Sequence, residues 1–272
     1  MVWYLESLTA PIIPNAPLRI KPKLAPAWGA EVVSSNIVGY EKVSHQKGFN
    51  MVGVQFVKVG GEDLDLMTVG VLDDQMAGYD EDGVYATEMR MWTGNGYTTY
   101  GWSGTSGTDV DEDPTLDNKW LDRDNEEIDE IASPSTGFWI VAEKAGTMTI
   151  SGEVPATDTV SVQLTTGFNM VANPYPGEVA ITSFGTLDSS FAGYDEDGVY
   201  ATEMRVWTGN GYTTYGWSGT SGTDVDEDPT LDNKWLDRDN EEVTVTIPFG
   251  TAVWIYAEKA GTLTFSAPKA GN

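Results

Sequence analysis

Cysteine is absent from this chain, and histidine occurs once, at His45. The first absence removes disulfides and thiolate metal sites. The second removes any histidine triad or histidine-rich metal centre repeated along the chain. No apolar run approaches the roughly 20 residues of a membrane-spanning helix, so no helical membrane span is expected. Positive charge is scarce: 15 Lys and Arg stand against 42 Asp and Glu, a formal net charge of -27. Such a surface repels nucleic acid and anionic lipid headgroups and attracts divalent cations, basic partners or water.

What the chain does have is aromatic and turn-forming residues: 10 Trp, 12 Tyr, 8 Phe, 30 Gly and 13 Pro in 272 residues. Aromatics suit the half-buried face of a strand, and Gly and Pro punctuate short strands with turns. No segment has the caps, length and 3.6-residue period of a long helix. The expectation is an all-β protein.

The strongest feature is a tandem copy. Ala77 to Glu127 reappears as Ala192 to Glu242, with Met91 changed to Val206 and nothing else. The flanks match more loosely, Gly48-Phe49-Asn50-Met51-Val52 with Gly167-Phe168-Asn169-Met170-Val171, and Phe138 to Thr147 with Val253 to Thr262. A period this long is domain-sized, well beyond a solenoid repeat. The chain therefore divides into an arm at 1–33 and two β-sandwich-like modules at 34–151 and 152–272. Within a module, Val84 to Trp92 alternates, with Tyr85, Met89 and Met91 on one face and Glu88 and Arg90 on the other. Thr93-Gly94-Asn95-Gly96 reads as a turn and Tyr97 to Trp102 as the returning strand. Phe138 to Ala142 and Val253 to Ala257 read as buried strands, followed by short edges at Thr147 to Ser151 and Thr262 to Ser266.

The arm belongs to neither copy. Trp3, Tyr4 and Leu5 have strand character, Pro11, Pro14, Pro17, Pro22 and Pro26 keep the rest of the arm extended, and Arg19, Lys21 and Lys23 make the segment basic against an acidic remainder. Ordering such a segment costs about 1–2 kcal/mol per residue in backbone entropy, so it needs a surface to pack on. Its own modules and a neighbouring subunit's both fit the charge contrast. Ala27-Trp28-Gly29-Ala30 has the small-residue character of a signal-cleavage site, although no continuous apolar core precedes it.

The second copy runs Gly167-Phe168-Asn169-Met170-Val171-Ala172-Asn173-Pro174-Tyr175-Pro176, then Val206 to Tyr212, Trp235, and Ile247-Pro248-Phe249-Gly250-Thr251-Ala252-Val253-Trp254. This order resembles the poorly characterised β-rich repeat modules of secreted and surface proteins of bacteria, which open on G-W-N-L-x-x-N-P and close on P-G-x-x-F/W. The resemblance implies secretion or a cell-surface location and a sandwich-like fold, and no assigned activity. The first copy departs from it at Val54-Gln55-Phe56-Val57, and the acidic stretch from Asp109 to Glu127 lies outside the pattern.

Each near-identical block carries 13 acidic residues against Arg90, Lys119 and Arg123 or their copies. The candidate cation ligands are Asp80, Asp82, Asp109, Asp111, Asp113 and Asp117, with Asp195, Asp197, Asp224, Asp226, Asp228 and Asp232 as their counterparts. Alternating carboxylates on a turn suit calcium, which takes about 6–8 oxygens from a flexible loop. A helix-flanked EF-hand is not expected, because Pro114 stands where its glycine should turn the chain and Trp120 where its closing Glu belongs, and a calcium loop of a β domain stays open. The plainer reading of the same residues is a hydrated acidic loop. Tyr97, Trp102, Tyr212 and Trp217 are the candidates for stacking on a sugar, against the commoner fate of strand aromatics, which is burial. His45 has no place in a repeated site and is expected at the surface or hydrogen-bonded. Gly94-Asn95-Gly96 lacks the strand-to-helix setting of a dinucleotide loop.

No residue pattern calls for an enzyme. The expectation is a non-catalytic extracellular structural protein that self-associates into a surface filament or layer, with acidic loops that take calcium. A bivalent carbohydrate-binding or adhesin module is the alternative.

Overall fold

The structure is a computed structural model that describes residues 38–73, 76, 78, 85–104, 114–193, 200–220 and 229–268. Those residues form an all-β fold of antiparallel sheets, with two single-turn 3-10 helices, Leu66–Thr68 and Ile181–Ser183. In the first copy a five-stranded sheet runs in the order Gly48–Gly53, Gly137–Ala142, Glu88–Trp92, Tyr97–Trp102, Trp120–Leu121. A three-stranded sheet, Val38–His45, Gly146–Glu153, Val71–Leu72, and a two-stranded one, Leu64–Asp65 with Ile131–Ala132, complete it. The second copy repeats all three sheets, its five-stranded one built from Gly167–Ala172, Ala252–Ala257, Glu203–Trp207, Tyr212–Trp217 and Trp235–Leu236.

The hairpin is set by its turn: Gly94 takes φ 97° and the Thr93 amide donates to the Gly96 carbonyl at 3.0 Å. Alternation then sorts the side chains, with Met89 fully buried and Met91 packed on the core, while Glu88 and Arg90 pair at 2.6 Å on the opposite face. The strand starts at Glu88, not at Val84, which lies outside the described residues. Tyr85 leaves the alternating face and lies flat on Gly101, where any Cβ would sit about 2 Å from its ring. Only glycine fits beneath that ring, and Tyr200 over Gly216 repeats the arrangement.

Two expectations need correction. Thr147 to Ser151 and Thr262 to Ser266, read as edges, belong to the central strands Gly146–Glu153 and Gly261–Ser266, because Val71–Leu72 and Thr186–Leu187 add to their far sides. Of the two places expected for His45 the surface is ruled out, since it is 2 % exposed: it ends a strand whose residues Gly39, Glu41, Val43 and His45 face inward.

Each copy has its own core. In the first, Trp102 and Trp120 meet edge-on at 5.1 Å among Met89, Phe138 and Ile140, and in the second Trp217 and Trp235 meet at 5.2 Å. The Trp120 and Trp235 indoles donate to the Gly70 and Phe184 carbonyls, at 3.0 and 2.9 Å, so that neither buries an unpaired N–H.

A third apolar cluster joins the copies. Met51, Trp139 and Trp92 of the first pack against Met170, Trp254 and Trp207 of the second. The contacts are reciprocal. Trp92 Nε1 donates to the Phe168 carbonyl at 2.7 Å and Trp207 Nε1 to that of Phe49 at 3.0 Å. Trp92 crosses Trp254 at 5.4 Å, and Trp139 crosses Trp207 at 5.5 Å. The Gly53 amide donates to Gly250 at 2.8 Å, and the Ala172 amide to Ser135 at 2.9 Å. Every such pair exchanges when the copies exchange, which is a two-fold interface written within one chain.

Candidate functional site

Of the twelve predicted cation ligands, Asp117 and Asp232 are described, and the other ten lie outside the described residues. Asp117 stands where the acidic loop returns to the sheet. That neck is closed by the Asn118 amide on the Gly104 carbonyl at 2.7 Å and the Lys119 amide on Ser103 Oγ at 2.9 Å, with Asn118 in the left-handed region at φ 57°. Asn233 on Gly219 (2.8 Å) and Lys234 on Ser218 (2.9 Å) repeat the closure. Asp117 and Asp232 are each half-buried with Oδ1 shut off from water. Among the described residues no three acidic or histidine side chains converge on one point.

The neighbouring acidic run, Asp122 to Glu126, has a different job. Asp122 Oδ1 accepts the amides of Asp124 (2.9 Å) and Glu126 (2.8 Å), and Asn125 takes φ 62°. Tyr85, the ring over Gly101, donates its hydroxyl toward Asn125 Oδ1 at 2.5 Å and the Asp122 carbonyl at 3.0 Å. Here the carboxylate shapes the turn by taking up backbone N–H groups. Asp237, Asn240 and Tyr200 do the same in the second copy.

The four aromatic candidates divide by strand parity. Tyr97 and Trp102 fall on opposite faces of one strand, as do Tyr212 and Trp217. Trp102 and Trp217 point into the cores at 1 % exposure and offer no ring face to a sugar. Tyr97 and Tyr212 are 46 % and 45 % exposed, each set edge-on against the tryptophan facing it across the hairpin turn, Trp92 and Trp207. Tyr212 lines a shallow depression of about 520 Å³ with Thr214, Asp237, Arg238 and Val243. The arm residues Trp3, Tyr4, Leu5, Arg19, Lys21 and Lys23 lie outside the described residues.

Glu41 was not singled out by sequence, and His45 was read only as a residue outside any repeated site. They break an apolar inner face that the equivalent strand of the second copy keeps intact as Val160, Val162 and Leu164. Burial pushes the Glu41 carboxyl up to about 8 and lowers the His45 imidazole, against the opposing pull of Asp73 and the Lys144 backbone. Asp73 and its counterpart Asp188 each accept a strand amide, from Thr147 at 3.0 Å and Thr262 at 2.8 Å. Aligning the first strands of the two copies is the signal that would have exposed both residues.

No family model, no curated protein and no solved structure matches this chain.

Proposed function

We propose that this chain is a non-catalytic extracellular structural subunit that self-associates into a surface filament or layer. The observation that supports this reading most is the reciprocal tryptophan interface, which makes one block of two near-identical copies. A block of that kind holds the two loop necks, closed at Asn118 and Asn233, in one body, as a building unit requires. The basic arm, carrying Arg19, Lys21 and Lys23, then docks on an acidic neighbour, and a head-to-tail contact that does not close on itself propagates. In this reading calcium binds the loops of Asp109, Asp111 and Asp113 and of their copies, with Asp117 and Asp232 contributing at the necks. Sedimentation velocity of the whole chain should show mass growing with concentration. Deleting residues 1–30 should leave folded, non-associating protein, and unchanged association would refute the docking of the arm.

A second reading, a bivalent glycan-binding module, draws on the half-exposed Tyr97 and Tyr212, the latter beside hydroxyl and charged groups. Duplicated sites raise avidity without new contacts. Glycan binding lost on Tyr97→Ala with Tyr212→Ala, by a chain that stays monomeric, would favour it.

A further inference from the structure

A groove of about 400 Å³ lies between the copies, its apolar walls formed by Met91, Trp92 and Pro134 of the first and Val160, Val162 and Met170 of the second, with serine and threonine residues between them. All six side chains are half-buried and none is charged. The two-fold relation gives the groove a counterpart, in which Phe249 stands for Pro134, and Glu41 and Val43 stand for Val160 and Val162. The chain fills that counterpart itself. Phe249 packs onto the core of the first copy, edge-on to Phe56 at 6.3 Å, and a Cβ on the adjoining Gly250 would meet Val43 at 2.7 Å.

The turns that carry the two residues are alike. Thr136 closes one on the Ser133 carbonyl at 2.9 Å and Thr251 closes the other on that of Pro248 at 3.3 Å. The third residue is left-handed in both, Ser135 at φ 80° and Gly250 at φ 70°. Proline and phenylalanine thus occupy the same turn position, and the proline ring does not extend as far as a benzyl group. The open groove has the place of an aromatic socket without its ring.

We propose that this groove takes the Trp3–Tyr4 segment of a neighbouring chain's arm. The segment matches the lining: Met1 to Leu5 has no charged side chain and ends in Trp, Tyr and Leu, whereas the modules that follow the arm are strongly acidic. Reach permits a neighbour as the donor. At about 3.1 Å per residue, an extended chain of the length from Pro11 to Pro26 reaches up to roughly 50 Å, comparable to the width of a globular body of this size. The inference rests on the reading of the arm as the assembling segment, and adds where it lands.

The test uses whole chains whose own arm is disabled by Trp3→Ala, titrated with a fluorescein-labelled peptide of residues 1–10 and followed by anisotropy. Pro134→Phe, added to that chain, supplies the ring the groove lacks, on a turn that already accepts Phe249 in the second copy. Val160→Glu, which copies Glu41 into the groove, is the second block. The Trp3→Ala chain should bind the peptide, and each added substitution should weaken binding at least ten-fold with unchanged circular dichroism. Equal binding to blocked and unblocked chains, or to neither, overturns the socket. Peptide binding by a chain whose unsubstituted form sediments as a monomer at every concentration leaves the socket standing and overturns arrival from a neighbour.

Discussion

Glu41 shows how one residue records the difference between two otherwise matched strands. Val160 holds its place in the second copy, and the carboxyl that replaces it is held up to about 8 by burial. From its ordinary 4.5 up to about 8, the folded chain keeps a proton at Glu41 that the unfolded chain has released. Stability contributed by the protonated acid is therefore complete at low pH and declines as pH rises through that window. Glu41→Gln should melt with the parent near pH 4.5 and several degrees above it at pH 8.5. A constant difference between those pH values would contradict the assignment. His45, whose lowered imidazole gives the opposite slope below its ordinary 6.5, is present in both proteins and cancels from the comparison.

At the scale of elements, turns and alternation were the legible part of the sequence. The Thr93–Gly96 turn and the strand Tyr97–Trp102 stand where their residues predict. Val71–Leu72 and Trp120–Leu121 did not announce themselves, since two residues carry no period, and the central place of Gly146–Glu153 went unseen with them. The acidic run from Asp122 was legible as a cluster and not as a turn, because its role depends on Tyr85 arriving from elsewhere in the chain. Asp122→Ala, which frees two backbone amides, should cost about 1–2 kcal/mol in urea unfolding. The loss should be the same in calcium and in chelator, and a loss confined to calcium would make Asp122 a ligand instead.

At the scale of the whole molecule, Trp92 carried a signal in plain view. Alternation sets it on the face of Glu88 and Arg90, and a tryptophan on a polar face marks a second burial surface, here the interface with the other copy. Parity also divides Tyr97 from Trp102, so these two never shared a platform. How the copies meet was not legible, because one module's sequence gives no orientation for the other. Trp92→Ala with Trp207→Ala should cost about 2–3 kcal/mol each, below the roughly 3–5 of a fully buried aromatic because both rings are half-exposed. The parent should unfold in one calorimetric transition and the double variant in two; one unchanged transition would mean that the interface does not couple the copies.

The assembly reading makes this two-copy block a repeating unit, and images of negatively stained whole chain test it most directly. Filaments or sheets that thin out in chelator, and vanish when residues 1–30 are deleted, are the predicted result. Separate single particles at every concentration, with and without calcium, would contradict it.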